Sequence, residues 1–254
     1  MACVRSLGRR AARLGAATAA ALALLAGCSG AGTAGPDGMP TSRPAEAGGA
    51  DDRIGTLFLG ELGGERGCTA SVVDSPRHNL LVTAAHCVYT SVNGRLDDLV
   101  FVPGYRNGQA PYGSWTATGS FVDPHWTASE DPEYDVAFIT VDARNGRQIQ
   151  DVLGGNELAT DQGFGLRVSV TGYPSTSETP ITCSVRTSRF SDTQERFDCH
   201  GYTDGTSGSP WLTKSGQVVG VIGGYEQGGA TDQTSYSITF DRRVAELYRQ
   251  ATGA

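Results

Sequence analysis

The sequence lacks a hydrophobic run of membrane-spanning length, a surplus of basic residues and any repeat. The apolar run at residues 14–27 falls short of the roughly 20 residues that a helix needs to cross a bilayer. The formal net charge is −7 over 254 residues, which argues against nucleic acid as a partner and against attraction to an anionic membrane surface. No internal repeat or heptad pattern is present. These absences exclude a spanning helix, a repeat array and a coiled coil.

The six cysteines also lack the spacing of a zinc site, since neither a CxxC pair nor a Cys/His pattern occurs. We therefore expect no metal and no cofactor. Acidic side chains cluster near residue 130, and we interpret them as solvated loop charges, with a calcium site as the alternative. They are Glu130, Asp131 and Glu133.

Residues 1–27 have the pattern of a signal peptide. Four arginines and no acidic residues occur in this segment, and the apolar run ends at Leu25-Ala26-Gly27, directly before Cys28. The small residues before Cys28 resemble the lipobox of bacterial lipoproteins, which implies that this thiol carries a lipid anchor. The alternatives are ordinary secretion, with Cys28 an incidental thiol, and export by the twin-arginine route through the Arg9-Arg10 pair. We expect an exported protein, held at the cell surface through Cys28 or secreted if it is not lipidated.

Two further segments follow the signal peptide. Residues 28–53 are rich in Gly, Ala, Pro, Ser and Thr, and we expect a flexible tether because so few large apolar groups cannot order a chain. Residues 54–254 form the domain, where short apolar or alternating runs separated by turn residues predict an all-β sandwich or barrel. A helix is predicted only at 242–250, where Val244, Leu247 and Tyr248 share one face. The predicted strands are 54–59, 68–73, 80–83, 99–103, 115–122, 136–141, 167–172, 181–185, 218–222 and 235–240.

Three motifs carry the chemistry. A serine hydroxyl needs a base that titrates near neutrality, and imidazole supplies one when a carboxylate orients its far nitrogen. The chain contains His86, Asp135 and Ser207 in that order, each within a short motif. The motifs are Leu81-Val82-Thr83-Ala84-Ala85-His86-Cys87, Tyr134-Asp135-Val136-Ala137-Phe138 and Gly205-Thr206-Ser207-Gly208-Ser209-Pro210. They resemble the histidine, aspartate and serine motifs of the chymotrypsin-like (trypsin-fold) serine proteases.

The resemblance spans residues 54–254 and implies two six-stranded antiparallel β-barrels, at about 54–150 and 151–240, followed by a C-terminal helix. It implies that His86 is the general base, Asp135 orients it and Ser207 is the nucleophile, with Gly205 and Ser207 supplying oxyanion-hole N–H groups. The substrates would be proteins or peptides, and we expect a monomer.

The four cysteines that remain after Cys3 and Cys28 allow three pairings. The resemblance selects Cys68–Cys87 and Cys183–Cys199.

The resemblance also locates a specificity pocket. Its base, six residues before the nucleophile, is Gly201 rather than the aspartate that selects Arg or Lys, and its wall is Gly223-Gly224-Tyr225. We therefore expect a small or medium apolar side chain to be preferred.

Two other functions fit parts of the pattern. One is a non-enzymatic binding lipoprotein built on an inactive protease scaffold, which the complete set of three motifs disfavours. The other is an esterase with the same nucleophile, which the order of the three residues and the barrel-like pattern disfavour.

Overall fold

The computed structural model describes residues 34–35 and 37–253. The expected signal peptide and Cys28 lie outside them. Among the described residues, no helix is long and apolar enough to cross a membrane. The strands are β1 Arg43–Pro44, β2 Ile54–Leu59, β3 Arg66–Val73, β4 Leu80–Thr83, β5 Tyr89–Thr90, β6 Gly94–Arg95, β7 Leu99–Pro103, β8 Trp115–Val122, β9 Ala137–Val141, β10 Glu157–Leu158, β11 Arg167–Gly172, β12 Ile181–Arg186, β13 Ser188–Arg189, β14 Gln194–Asp198, β15 Pro210–Thr213, β16 Gln217–Val221 and β17 Thr234–Ile238. The α-helices are α1 Pro124–Ser129, α2 Ile149–Leu153 and α3 Arg242–Thr252, and short 3₁₀ helices cover Gly49–Arg53, Ala85–Cys87, Pro132–Tyr134 and Tyr225–Gly228.

The first half of the domain is a closed barrel in the strand order β2-β3-β4-β9-β8-β7, and all its pairs are antiparallel. Both faces of β4 are buried, so its sequence Leu-Leu-Val-Thr is nearly all apolar instead of alternating. Inside the barrel, Leu81 and Phe101 pack with Trp115 and Trp126. Closure leaves this half without an exposed sheet edge.

The second half contains two sheets. Six strands run in the order β1-β12-β11-β15-β16-β10, and three run in the order β13-β14-β17. Strands β16 and β17 belong to different sheets, although the Val221 N–H donates to the Ser237 hydroxyl at 3.0 Å and the Gly223 N–H to the Tyr236 carbonyl at 2.9 Å. The ring centroids of Phe197 from β14 and Trp211 from β15 lie 5.8 Å apart in the core that the two sheets share. The expected fold class, mostly β with chymotrypsin-like architecture and a C-terminal helix, is confirmed, and here the strands of the second half form two hydrogen-bonded sheets.

Helix α3 packs against strands β8 and β9 of the first barrel. Asp241 caps its first turn by accepting a hydrogen bond from the Arg243 N–H at 2.8 Å, and Gly253 ends it with φ 68°. The buried side chains of Val244 and Leu247 belong to a core that also contains residues of both halves. The helix ends at Thr252, two residues beyond the predicted 242–250.

The segment 37–53 differs from the expected flexible tether, since it lies on the second half of the domain. Arg43 and Pro44 add strand β1 to the edge of β12, opposite Thr182 and Ile181. Ala45 is 3% exposed, and its N–H donates to the Pro180 carbonyl at 2.9 Å. Composition did not reveal this, because the segment is held by the backbone pairing of β1 and by single polar contacts such as Asp37 with His200 and Asp51 with Thr171, which leave no hydrophobic pattern in the sequence.

Candidate active site

His86 lies in a tight turn that the fold holds from both sides. The turn Ala85–Cys87 follows β4, and Ala84 and Ala85 are fully buried, so only small side chains fit beneath the imidazole. A disulfide joins Cys87 to Cys68 on the neighbouring strand β3. The histidine therefore projects from a braced corner of the first barrel.

Asp135 is completely buried and accepts three hydrogen bonds. The backbone N–H of His86 donates to Oδ1 at 3.0 Å, while Nδ1 of the same histidine and the N–H of Gly224 contact Oδ2 at 2.8 Å each. A carboxylate acceptor keeps the imidazole proton on Nδ1 and leaves Nε2 free to accept one. The first barrel thus supplies a histidine in the tautomer that a general base needs.

Ser207 comes from the second half, in a loop that glycines and Thr206 shape. Gly205 and Gly208 have φ of 91° and 80°, and a Cβ on Gly205 would come within 2.5 Å of the Tyr173 carbonyl oxygen. The buried hydroxyl of Thr206 donates to the Thr203 carbonyl at 2.7 Å. Strand β3 also holds the loop, since the hydroxyl of Thr69 donates to the Gly205 carbonyl at 2.9 Å and its N–H to the Ser207 carbonyl at 2.8 Å.

The N–H groups of Gly205 and Ser207 donate no hydrogen bond within the described part of the chain. Two free donors beside a serine are what a developing oxyanion requires. Ser207 is partly exposed and lines the same cleft as His86. Among the described residues, the Ser207 hydroxyl and the His86 ring are not hydrogen-bonded to each other. In enzymes of this mechanism that contact commonly tightens only when substrate binds.

The cleft has a volume of about 600 Å³ and two chemically different walls. Around His86 the first barrel contributes Leu57, Leu59, Leu96 and Leu99 together with the Cys68–Cys87 disulfide. The second half contributes mostly polar and small residues. These are Tyr202, Thr203, Asp204, Gly205, Thr206, Ile222, Glu226, Gln227, Gly228, Gly229, Ala230, Thr231, Asp232 and Ser235.

Tyr202 is fixed from within the second half. Its hydroxyl donates to the Val170 carbonyl at 2.6 Å, and burial raises the pKa of this phenol well above its usual value. The phenol therefore stays neutral and acts as a rigid part of the wall.

The residues predicted for the specificity pocket lie outside the lining of this cleft. Gly201 lies against Ser42 and Ile181, Gly223 lies against Asp135, and Gly224 lies against Gln194 and Ile238. Tyr225 turns away to contact Phe190 at 4.9 Å and Tyr236 at 5.1 Å between ring centroids. Within the 3₁₀ helix Tyr225–Gly228, Tyr225 lies outside the cleft lining, whereas Glu226, Gln227 and Gly228 belong to it. Ile222 and Gly228–Gly229 take the expected place in the wall.

The second disulfide joins Cys183 to Cys199, so both bonds match the pairs that the resemblance implied. Among the described residues, Cys68, His86 and Cys87 form the one group whose side chains cluster closely enough for a metal ion. Their sulfurs are bonded to each other and offer no thiolate, so this set does not fit a zinc ion.

Sequence reasoning missed Gln194, whose buried side chain reaches the loop that carries Asp135. No local motif marks it, because its partners are distant in the chain. Glu133, interpreted above as a solvated charge, is one of those partners.

A β-barrel joined to a second β half, with a histidine–aspartate pair facing a serine across their cleft, defines the class of chymotrypsin-like peptidases. The chain belongs to the family of trypsin-like peptidase domains, whose sequence model matches residues 68–221. That range contains His86, Asp135 and Ser207.

Solved structures share this fold, and one curated relative matches part of the chain. The protease Anisep from Arthrobacter nicotinovorans is 27% identical, with a TM-score of 0.72 over 82% of this chain and 99% of that one. The thermostable serine protease AL20 from an extremophilic microorganism (24% identical, TM-score 0.71, 80% of this chain and 98% of that one) and a Glu endopeptidase (19% identical, TM-score 0.70, 84% and 97%) share the fold. An extracellular metalloprotease of Bacillus subtilis (strain 168) is 30% identical over 151 residues, which are 57% of this chain and 45% of that protein. The chain thus matches less than half the length of that relative.

Proposed function

We propose that the protein is a serine endopeptidase that hydrolyses peptide bonds through an acyl-enzyme. The observation that carries this proposal is the buried Asp135 carboxylate bonded to His86 at the edge of a cleft that Ser207 also lines. The family membership supports the same reaction class.

The roles follow from the positions of the groups. Ser207 Oγ attacks the scissile carbonyl carbon while His86 Nε2 takes its proton, and Asp135 stabilises the imidazolium that results. The oxygen that becomes negative points at the free N–H groups of Gly205 and Ser207. Collapse breaks the C–N bond, and His86 returns the proton to the leaving amine. Water then hydrolyses the ester with His86 again as the base.

A metal-dependent reaction is the competing proposal, because the name of the Bacillus subtilis relative describes a metalloprotease. The cluster around His86 argues against it here, since a disulfide removes two of its three donors. The serine mechanism uses the same histidine without any metal.

The walls of the cleft disfavour an acidic side chain beside the scissile bond. None of the described lining residues is a lysine or an arginine, and three of them are carboxylates, Asp204, Glu226 and Asp232. Ile222, Gly228 and Gly229 leave an uncharged part of the wall. We propose that a small or medium apolar side chain of the substrate binds against this part.

The place of action is outside the cytosol. Two disulfides support export, because such bonds persist in oxidising compartments. We propose further that residues 1–27 are removed as a signal peptide, that a lipid on Cys28 anchors residues 54–254 at the cell surface, and that the protein acts as a monomer.

The proposal is tested by peptide-library cleavage with the wild-type protein, the Ser207→Ala variant and a matched Ser215→Ala variant, whose serine is exposed in the β15–β16 turn. Ser207→Ala should abolish cleavage above the remaining background, whereas Ser215→Ala should cleave as the wild type does. A chelator such as EDTA should leave the wild-type rate unchanged. Cleavage that survives Ser207→Ala and disappears with the chelator would refute the serine mechanism.

A further inference from the structure

Gln194 is a buried amide that joins two loops through both ends of its side chain. It is 3% exposed and lies at the start of β14. Its Nε2 donates to Glu133 Oε1 at 2.7 Å, and its Oε1 accepts from the Tyr225 N–H at 2.8 Å. Both contacts are fully directional, because an amide has distinct donor and acceptor ends.

The two loops are those that hold Asp135. Glu133 lies two residues before Asp135 in the Pro132–Tyr134 turn of the first barrel. Tyr225 directly follows Gly224, whose N–H donates to Asp135 Oδ2 at 2.8 Å. Gln194 therefore ties the loop that carries the carboxylate to the loop that donates to it.

The space around this bridge is tight, so the geometry has little freedom. A Cβ on Gly224 would come within 2.8 Å of Gln194 Oε1, and a Cβ on Gly223 within 3.0 Å of Asp135 Oδ2. The far side of Glu133 faces Arg243 of helix α3, with 3.9 Å between Oε2 and Nη1. The arginine also lies over the ring of Tyr134, 5.1 Å from its centroid. The carboxylate of Glu133 is thus positioned to accept from Gln194.

We propose that Gln194 is a positioning residue for Asp135: it fixes the carboxylate relative to the Gly224 donor and so keeps the His86 imidazole aimed at the cleft. Gln194 is not among the residues that line the cleft. Its loss should therefore lower kcat and leave KM nearly unchanged, because ground-state binding is untouched while the base loses its aim. This inference rests on the proposed serine mechanism.

The experiment exchanges the two polar groups. Gln194→Glu places a carboxylate against Glu133, so the bridge breaks by repulsion, and kcat should fall about 10- to 100-fold with KM within about twofold of wild type. Glu133→Gln combined with Gln194→Glu restores a donor on one side and an acceptor on the other. The double variant should recover most of the lost kcat.

A matched control uses Gln217, whose Nε2 donates to Glu157 Oε2 at 3.2 Å in an exposed contact. Neither residue is bonded to Asp135 or to a partner of Asp135. Gln217→Glu creates the same kind of repulsion and should leave kcat unchanged. If Gln194→Glu does not fold, Gln194→Met, of similar length and uncharged, replaces it, and the same loss of kcat at constant KM is expected.

Three results would overturn the inference. One is a folded Gln194→Glu or Gln194→Met variant with kcat within about twofold of wild type. Another is a double variant no faster than Gln194→Glu, and the third is a loss that appears only in KM. Covalent labelling of the wild type by a fluorophosphonate is measured in parallel. A wild type that is folded but neither labelled nor active would refute the serine mechanism itself, which separates that failure from a failure of the role of Gln194.

Discussion

At the scale of single residues, Asp135 is the group on which the proposed chemistry depends most. It has no exposure to solvent, and each of its three hydrogen bonds comes from an N–H donor. Such a site holds a carboxylate in place because every donor would be left unsatisfied without it. The three donors therefore require a side chain with two acceptor oxygens at position 135.

Asp135→Asn keeps the size of the side chain but replaces one acceptor oxygen with an NH₂ group, which cannot accept from Nδ1 of His86. The imidazole then favours the wrong tautomer, and we expect kcat to fall by a factor on the order of 10⁴ with the fold intact. Steady-state kinetics and circular dichroism measure the two properties. Asp192→Asn is the control, since that side chain is 93% exposed and should change nothing. A loss below about tenfold would mean that another group orients the histidine.

The residues around the site differ in how well the sequence alone predicts them. His86, Asp135 and Ser207 stand in short motifs whose neighbours also have roles, such as Cys87 in the disulfide and Gly205 in the turn. Gln194 has no such context, because its contact with Glu133 spans 61 positions and exists only when β14 packs beside the first barrel. Counting from the nucleophile gives a position in the sequence and does not show which side chains line the cleft, which here include Ile222 and Gly228.

At the scale of elements, the position of Ile54 at the start of β2 bears on whether the protein needs proteolytic activation. Arg53-Ile54 resembles an activation cleavage site, yet Ile54 is fully buried and paired with Ser71 in the barrel. The residue before Ser207 is Thr206, whose hydroxyl already holds the loop. An ammonium drawn in from Ile54 would meet no carboxylate there, and burying it would cost several kcal/mol.

We therefore expect activity without a free amine on Ile54. The measurement compares a protein that begins before Arg53, protected by Arg53→Gln, with one cleaved to expose Ile54. Equal rates within a few-fold are expected. A gain of about a hundredfold or more on exposing Ile54 would show that another acid receives its ammonium.

The elements also show what periodicity detects. The ten predicted strands all appear, because alternating or apolar runs between turn residues reflect burial that a sheet enforces. The two-residue strands were missed, among them β1 and β10, since pairs this short carry no pattern. Strands β14 and β15 were missed as well, because Gln194–Asp198 is mostly polar and Pro210–Thr213 begins with a proline. Strand β1 shows the limit most clearly: Arg43 and Pro44 have no strand preference and lie at a sheet edge, which is where proline is tolerated.

At the scale of the whole molecule, charge and attachment belong together. The formal net charge of −7 gives no attraction to an anionic bilayer, so the proposed anchoring depends on lipid alone. Cys28→Ser should release the protein from the membrane fraction or block its processing. Fractionation followed by immunoblotting measures this, with Cys3→Ser as the control because Cys3 lies within the signal peptide that we expect to be removed. A serine variant that remains with membranes as the wild type does would refute lipidation at Cys28.

The central claim is that Ser207 becomes nucleophilic because His86, held by Asp135, removes its proton. The most direct measurement treats the folded protein with a fluorophosphonate and locates the adduct by peptide mapping and mass spectrometry. The account predicts one adduct, on Ser207, formed rapidly in the wild type and more slowly by a factor on the order of 10³ or more in His86→Ala. An adduct on another residue, or labelling of Ser207 at the same rate without His86, would contradict it.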